Sequence, residues 1–234
     1  MNHPVKRALR RCCGIFLAAL LFLFPAAVVP RAQEDASPGL DEQINSQAAV
    51  LMDAATGQIL YEKNMDDRLY PASITKILTA VVALEEGDLS DTVTMTGEAI
   101  DAVDPQSTHI ALTYDEQVPM QDLFYAMLMM SANDASNGIA VHVGGSLAHF
   151  VELMNEKARE IGAVDSHFVN ANGLYSPEHY TTARDMALIT RYALGYPKFR
   201  EAFGKLTYTM PPTNKQKDSR EFYTQSAMMN PTLY

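Results

Sequence analysis

Cysteine is nearly absent from this chain, which has 234 residues and only two cysteines, Cys12 and Cys13. Both precede the longest apolar run, residues 14–24, whereas a lipid-attachment cysteine would follow such a run. If the amino-terminal segment is removed, the remaining chain contains no cysteine at all. Disulfides, thiol catalysis and cysteine metal sites are then excluded.

Metal and phosphate motifs are missing as well. The six histidines show no zinc-type spacing such as His-Glu-x-x-His. No glycine-rich loop of the phosphate-binding type occurs. The sequence therefore predicts neither a metal site nor a cofactor.

Long apolar runs are scarce, and the one at residues 14–24 spans only eleven residues. That is too short for a comfortable membrane span. It follows a positively charged head made of Lys6, Arg7, Arg10 and Arg11. This order is typical of a secretory signal peptide, which we assign to residues 1–32, with a polar linker at 33–46. The alternative is a retained amino-terminal anchor.

Basic residues are also in short supply, with 18 lysines and arginines against 28 aspartates and glutamates. Removing residues 1–32 takes away five basic side chains and no acidic one, which leaves 13 against 28, a formal charge of −15. A surface this acidic argues against nucleic-acid binding. We therefore expect an exported, acidic protein with no nucleic-acid partner.

The rest of the chain, residues 47–234, is predicted to form one mixed α+β domain with a helical insertion. Apolar runs at 48–53 and 58–62 flank a turn ending in glycine, which indicates a β-hairpin. Apolar residues recur at helical spacing from Ile74 onward. Further elements are expected as follows: strands at 92–96 and 205–210, and helices at 120–130, from about 134, at 147–161 after Ser146, and at 183–194 after Thr182.

A serine and a lysine three residues apart, Ser73 and Lys76, open the first predicted helix. At this spacing both side chains lie on one helix face, beside free N–H groups that favour negative charge. Partial desolvation by Ile74 and Ile77 would lower the lysine pKa, so that a neutral amine can take the serine proton. The alternative is that Ser73 caps the helix and Lys76 is solvated.

A second motif, Ser131-Ala-Asn133, lies at the junction of two predicted helices. It would place a hydroxyl and an amide in a cleft, or else Ser131 or Asn133 caps the following helix. Together the two motifs resemble those of penicillin-binding proteins and class A β-lactamases. The chain is similar to the secreted D-alanyl-D-alanine carboxypeptidases, low-molecular-mass penicillin-binding proteins of peptidase family S11. The resemblance rests on LMDAATGQILYEKN (51–64), PASITK (71–76), SANDAS (131–136) and FVNANGLYSPEHYTTARDMA (168–187), in the family's order.

This resemblance implies the fold, the reaction and the partners. The fold would be the serine β-lactamase/DD-peptidase type, an α/β (mixed α+β) architecture with an antiparallel sheet flanked by helices and a helical subdomain. Ser73 would be the acyl-enzyme nucleophile, with its own backbone N–H in the oxyanion hole, and Lys76 the general base. Ser131 would relay a proton, and Asn133 would bind the substrate's peptide group. The partners would be peptidoglycan stem peptides ending in D-Ala-D-Ala and β-lactam antibiotics, outside the cytoplasmic membrane.

The family's third motif, Lys-Thr-Gly or a close variant, does not occur in this sequence. We therefore expect a chain truncated before that motif, with a sheet incomplete at the carboxyl terminus. Membrane association is then expected only through a missing carboxy-terminal anchor or a retained amino terminus. Two alternatives remain open: a non-catalytic peptidoglycan-binding or inactive fragment, and, less favoured, a serine β-lactamase, for which no deacylating-glutamate loop is recognisable. His179 is expected near the cleft in a structural role.

Overall fold

A computed structural model describes residues 44–225. The predicted signal peptide (1–32), most of the predicted linker (33–46) and residues 226–234 lie outside the described residues. The boundaries of the signal peptide, linker and domain therefore stay predictions. No helix among the described residues is long and apolar enough to cross a membrane.

The strands in residues 44–225 form three separate two-stranded antiparallel sheets. The first is the predicted hairpin, in which Val50 lies opposite Glu62 and a bulge separates Leu51 from Met52. Its turn is closed by Asp53, whose carboxylate accepts the Thr56 N–H at 2.7 Å. The strands are β1 (Ala49–Met52) with β2 (Ile59–Lys63), β3 (Thr92–Thr94) with β4 (Gln117–Pro119), and β5 (Thr207–Met210) with β6 (Arg220–Tyr223).

The described range also contains seven α-helices. The predicted caps are confirmed, because the Ser146 hydroxyl accepts the His149 N–H and the Thr182 hydroxyl accepts the Asp185 N–H. The helices are α1 (Lys76–Glu86), α2 (Gly97–Asp101), α3 (Met120–Met129), α4 (Asn133–Gly144), α5 (Leu147–Ile161), α6 (Ala183–Ala193) and α7 (Pro197–Phe203).

Helix α1 contributes to two hydrophobic cores. Ala80, Val81 and Ala83 pack with α3 and α4 in one core, while Leu78 and Val82 pack with α5 and α6 in the other. A helix buried on several faces must be apolar nearly all round, as the sequence of α1 is. The first residue of α1 is therefore placed deep inside the fold.

The observed architecture agrees with the predicted mixed α/β class. Four elements were not predicted, namely α2, α7, β4 and β6. Each is short, and the two strands gain their ladder hydrogen bonds from partners elsewhere in the chain, β3 for β4 and β5 for β6. Short strands of this kind carry little local signal in the sequence.

Candidate active site

Ser73 lies in a short 3-10 turn, Ala72–Thr75, which runs directly into α1 at Lys76. The α-helix thus begins two residues later than the predicted start at Ile74. No side-chain cap hydrogen bond is made at the start of the turn or of the helix, so the alternative that Ser73 is only a helix cap is wrong. The Lys76 Nζ lies 3.5 Å from the Ser73 Oγ, as the spacing of three residues predicts.

The Lys76 ammonium is buried, with only 3% of the residue exposed, so the alternative of a solvated lysine is also wrong. Its Nζ donates hydrogen bonds to the Asn133 Oδ1 at 2.7 Å and to the Asn172 carbonyl at 2.6 Å. Burial lowers the lysine pKa to about 8, and the negative charge of Asp134 opposes this only in part. At neutral pH roughly a tenth of the side chain is therefore uncharged and able to accept a proton.

Ser131 and Asn133 lie at the junction between α3 and α4, as predicted, but neither is a helix cap. The capping position is Ala132, which makes no side-chain cap hydrogen bond. Ser131 adopts a left-handed backbone conformation with φ of 56°, which is sparsely populated for a residue that is not glycine. Helix α4 begins at Asn133, whose side chain is buried beside Lys76. The chain reversal thus brings an amide next to the lysine.

Ser73, Lys76 and Ser131 line a single cavity of about 370 Å³. Within residues 44–225, no hydrogen bond joins the Ser131 hydroxyl to Ser73 or Lys76. A larger cavity, of about 790 Å³, lies between α5 and residues 167–174. Its lining contains no serine or lysine, whereas the smaller cavity brings a serine and a lysine together.

Asn172 and Gly173 belong to the site but were not among its predicted residues. The Asn172 carbonyl accepts from Lys76, and its side chain is held by Asn137 and by the Leu174 N–H. Gly173 has φ of 86°, and a Cβ at this position would lie 2.0 Å from the Ala72 carbonyl oxygen. An Asn-Gly pair in a polar loop is a known turn signal, but it does not reveal which residues the turn contacts.

Among the described residues no cluster of three histidine, cysteine, aspartate or glutamate side chains is suited to holding a metal ion. The polar groups present are a serine hydroxyl, a lysine with a lowered pKa, an amide and a second hydroxyl. A nucleophile whose proton can pass to a neighbouring amine is suited to acyl transfer through a covalent intermediate. Turn residues at the start of a helix also offer free N–H groups to a developing oxyanion.

Comparison with known proteins gives one consistent result. The profile of the D-alanyl-D-alanine carboxypeptidase family, peptidase S11, matches residues 32–227. D-alanyl-D-alanine carboxypeptidase DacA of Haemophilus influenzae is 39% identical over 152 residues, covering 63% of this chain and 39% of that protein. DacF of Bacillus subtilis is 32% identical over 209 residues, covering 87% and 51%.

Comparison with solved structures also finds a DD-peptidase. A point mutant of the Streptomyces K15 DD-transpeptidase superposes with a TM-score of 0.75 at 25% identity, covering 80% of this chain and 76% of that one. The chain spans about half the length, or less, of the two curated relatives.

Proposed function

The chain belongs to the D-alanyl-D-alanine carboxypeptidase family, and from that membership we propose that it is a serine-type D-Ala-D-Ala carboxypeptidase. It removes the terminal D-alanine from peptidoglycan stem peptides, outside the cytoplasmic membrane. β-Lactam antibiotics, which present a strained amide to the same nucleophile, acylate the same serine. The reaction is a hydrolysis through an acyl-enzyme and uses no cofactor.

The observation that carries this proposal is the contact between the buried Lys76 amine and the exposed Ser73 hydroxyl. The lysine pKa of about 8 lies near neutrality, where a general base works best. Its Nζ faces the Ser73 Oγ at 3.5 Å, a separation that tightens when substrate displaces water from such a site. The hydrogen bonds to Asn133 and Asn172 fix the direction of the amine.

In the acylation step, neutral Lys76 takes the proton from the Ser73 Oγ while this oxygen bonds to the carbonyl carbon between the two D-alanines. The backbone N–H of Ser73 stabilises the oxyanion, an interaction typically worth about 3–4 kcal/mol in such sites. Collapse of the tetrahedral intermediate breaks the C–N bond. The leaving amine receives the proton from Lys76 through the Ser131 hydroxyl.

In the deacylation step, water gives a proton to Lys76 and attacks the Ser73 ester, and the proton then returns to the Ser73 Oγ.

Asn133 binds the substrate in addition to orienting Lys76. Its Oδ1 is occupied by Lys76, while its Nδ2 donates to no group within residues 44–225 and can hydrogen-bond the peptide carbonyl of the substrate.

Intact mass after incubation with benzylpenicillin tests the proposal. We expect one adduct mass on the purified chain and none on the Ser73→Ala variant. A peptide ending in D-Ala-D-Ala should release D-alanine with the same dependence on Ser73. An adduct without D-alanine release identifies a penicillin-binding protein that does not turn over peptide, and rapid penicillin hydrolysis identifies a β-lactamase. No adduct on a folded chain would refute the proposal.

A further inference from the structure

His179 is a buried histidine that the proposed reaction does not use. Only 1% of the residue is exposed. Its Nδ1 accepts the Val169 N–H at 3.2 Å, so the ring proton must be on Nε2. The Nε2 lies 2.8 Å from the Thr75 Oγ1 and therefore donates to it. Burial, with a smaller contribution from His167, lowers the pKa of this imidazole to about 4, so the ring stays neutral at physiological pH.

Thr75 is the last residue of the 3-10 turn that carries Ser73, and its side chain is fully buried. The hydrogen bond from His179 thus holds the end of this turn. It joins residues 104 positions apart in the chain, so local structure alone does not create it. The ring is itself fixed by edge-on contacts with Tyr70 and Phe168.

Residues 70 and 173 hold the start of the same 3-10 turn, at Ala72. Gly173 packs so closely on Ala72 that it has no room for a Cβ, and the Tyr70 hydroxyl donates to the Gly173 carbonyl. Ala72 has φ of 51°, a sparsely populated conformation for alanine that persists only when neighbouring groups hold it. The backbone on both sides of Ser73 is therefore set by contacts from residues 173–179.

We propose that His179 is a positioning residue: through Thr75 it sets where the Ser73 hydroxyl and backbone N–H lie relative to Lys76. This inference rests on the proposed function, because the position of Ser73 matters for rate only if Ser73 is the nucleophile. A displacement of about 1 Å in a reacting group can slow a reaction by about a hundredfold. His179 does not touch the reacting atoms, and its effect is on alignment.

Two substitutions of His179 test the hydrogen bonds of its two ring nitrogens one at a time. In His179→Asn the amide oxygen replaces Nδ1 and can still accept from Val169, but the side chain is too short to reach Thr75. In His179→Gln the amide nitrogen replaces Nε2 and can still donate to Thr75. We expect His179→Asn to lower the acylation rate constant for benzylpenicillin by about tenfold or more, with the dissociation constant of the non-covalent complex unchanged. His179→Gln should recover most of the rate.

Thr75→Val provides an independent second variant, because it removes the hydroxyl while keeping the shape of the side chain. It should slow acylation as much as His179→Asn does, and the double variant should be no slower than either single one. The control is Thr190→Val, which removes another partly buried hydroxyl hydrogen bond, to the Met186 carbonyl at 2.6 Å in α6. The control should keep the wild-type acylation rate.

Wild-type acylation in folded His179→Asn, or equal losses in the Asn and Gln variants, would overturn the inference. A wild-type chain that forms no adduct refutes the proposed function instead. The inference is then decided by the Ser73 backbone amide resonance of ¹⁵N-serine-labelled protein. This resonance should shift in His179→Asn and return in His179→Gln, and an unshifted resonance would show that His179 does not position the turn.

Discussion

Raising the pH from 6 to 9 should accelerate acylation of Ser73 by benzylpenicillin and then bring it to a plateau. The reason is that only the neutral amine of Lys76 can take the serine proton. Because the lysine pKa is lowered, from 10.5 to about 8, the neutral form appears within the physiological range. The shift corresponds to about 3 kcal/mol of differential cost for the charged form inside the protein.

The size of the effect follows from the titration of one group. With a pKa of about 8, roughly 1% of Lys76 is neutral at pH 6 and about 90% at pH 9, so the rate should rise about 90-fold and level off. A lysine of ordinary pKa would still be only about 3% neutral at pH 9, and the rate would keep rising tenfold per pH unit. The plateau is therefore the diagnostic feature.

The assay is stopped-flow or quenched mass spectrometry of adduct formation at constant ionic strength, with circular dichroism at each pH as a check on folding. Ser73→Ala controls for acylation elsewhere. A rate that continues to climb above pH 9 would mean that the lysine pKa is not lowered. A rate independent of pH from 6 to 9 would remove Lys76 from the role of general base.

Substitutions at Gly173, Asp134 and Ser146 test one contact each. Gly173→Ala should lower the free energy of unfolding in urea by about 2–5 kcal/mol, because the added Cβ clashes with backbone and the left-handed conformation is strained. The control is Gly162→Ala, where φ is 92° but the Cβ would meet open space, and it should lower the free energy of unfolding by only about 1–2 kcal/mol. Asp134→Asn removes the charge that favours the ammonium of Lys76, so the midpoint of the acylation pH profile should fall below about 8. Ser146→Ala should cost about 1 kcal/mol through loss of a helix cap.

Each of the three predictions would be contradicted by a specific result. Equal losses at the two glycines would mean that residue 173 does not press on the 3-10 turn that carries Ser73. An unchanged or higher midpoint in Asp134→Asn would mean that this carboxylate does not act on the lysine. Unaltered stability of Ser146→Ala would mean that the cap hydrogen bond contributes nothing measurable to α5.

Much of the fold was predictable because its signals are local. The β1–β2 hairpin follows from two apolar runs around a turn containing Gly57, and α5 and α6 follow from helical periodicity after Ser146 and Thr182. Short elements such as β4 and β6 were missed, because a strand of three or four residues exists mainly through its pairing partner. The 3-10 turn was read as part of the helix, since both have similar local spacing.

In the candidate site, too, the contacts between residues close in sequence were predictable and those between distant residues were not. Ser73 and Lys76 were predicted to be neighbours because three residues nearly complete one helical turn. His179 was expected near the cleft in a structural role, but its partner Thr75 was not predicted, and Asn172 was not predicted at all, because these contacts with Thr75 and Lys76 span 104 and 96 residues of sequence. Such pairings depend on how the 3-10 turn and the start of α1 pack against residues 172–179, which no local sequence pattern encodes.

The sequence by itself therefore determined the class of fold and pointed to Ser73 and Lys76 as the proposed nucleophile and base, since these depend on residue type and short spacing. Only the tertiary structure decided whether that base is able to act. A lysine keeps its ordinary pKa in water and loses its proton readily only where neighbouring groups exclude water. In this protein the buried start of α1 creates that environment, with Lys76 only 3% exposed, and it exists only when the chain folds.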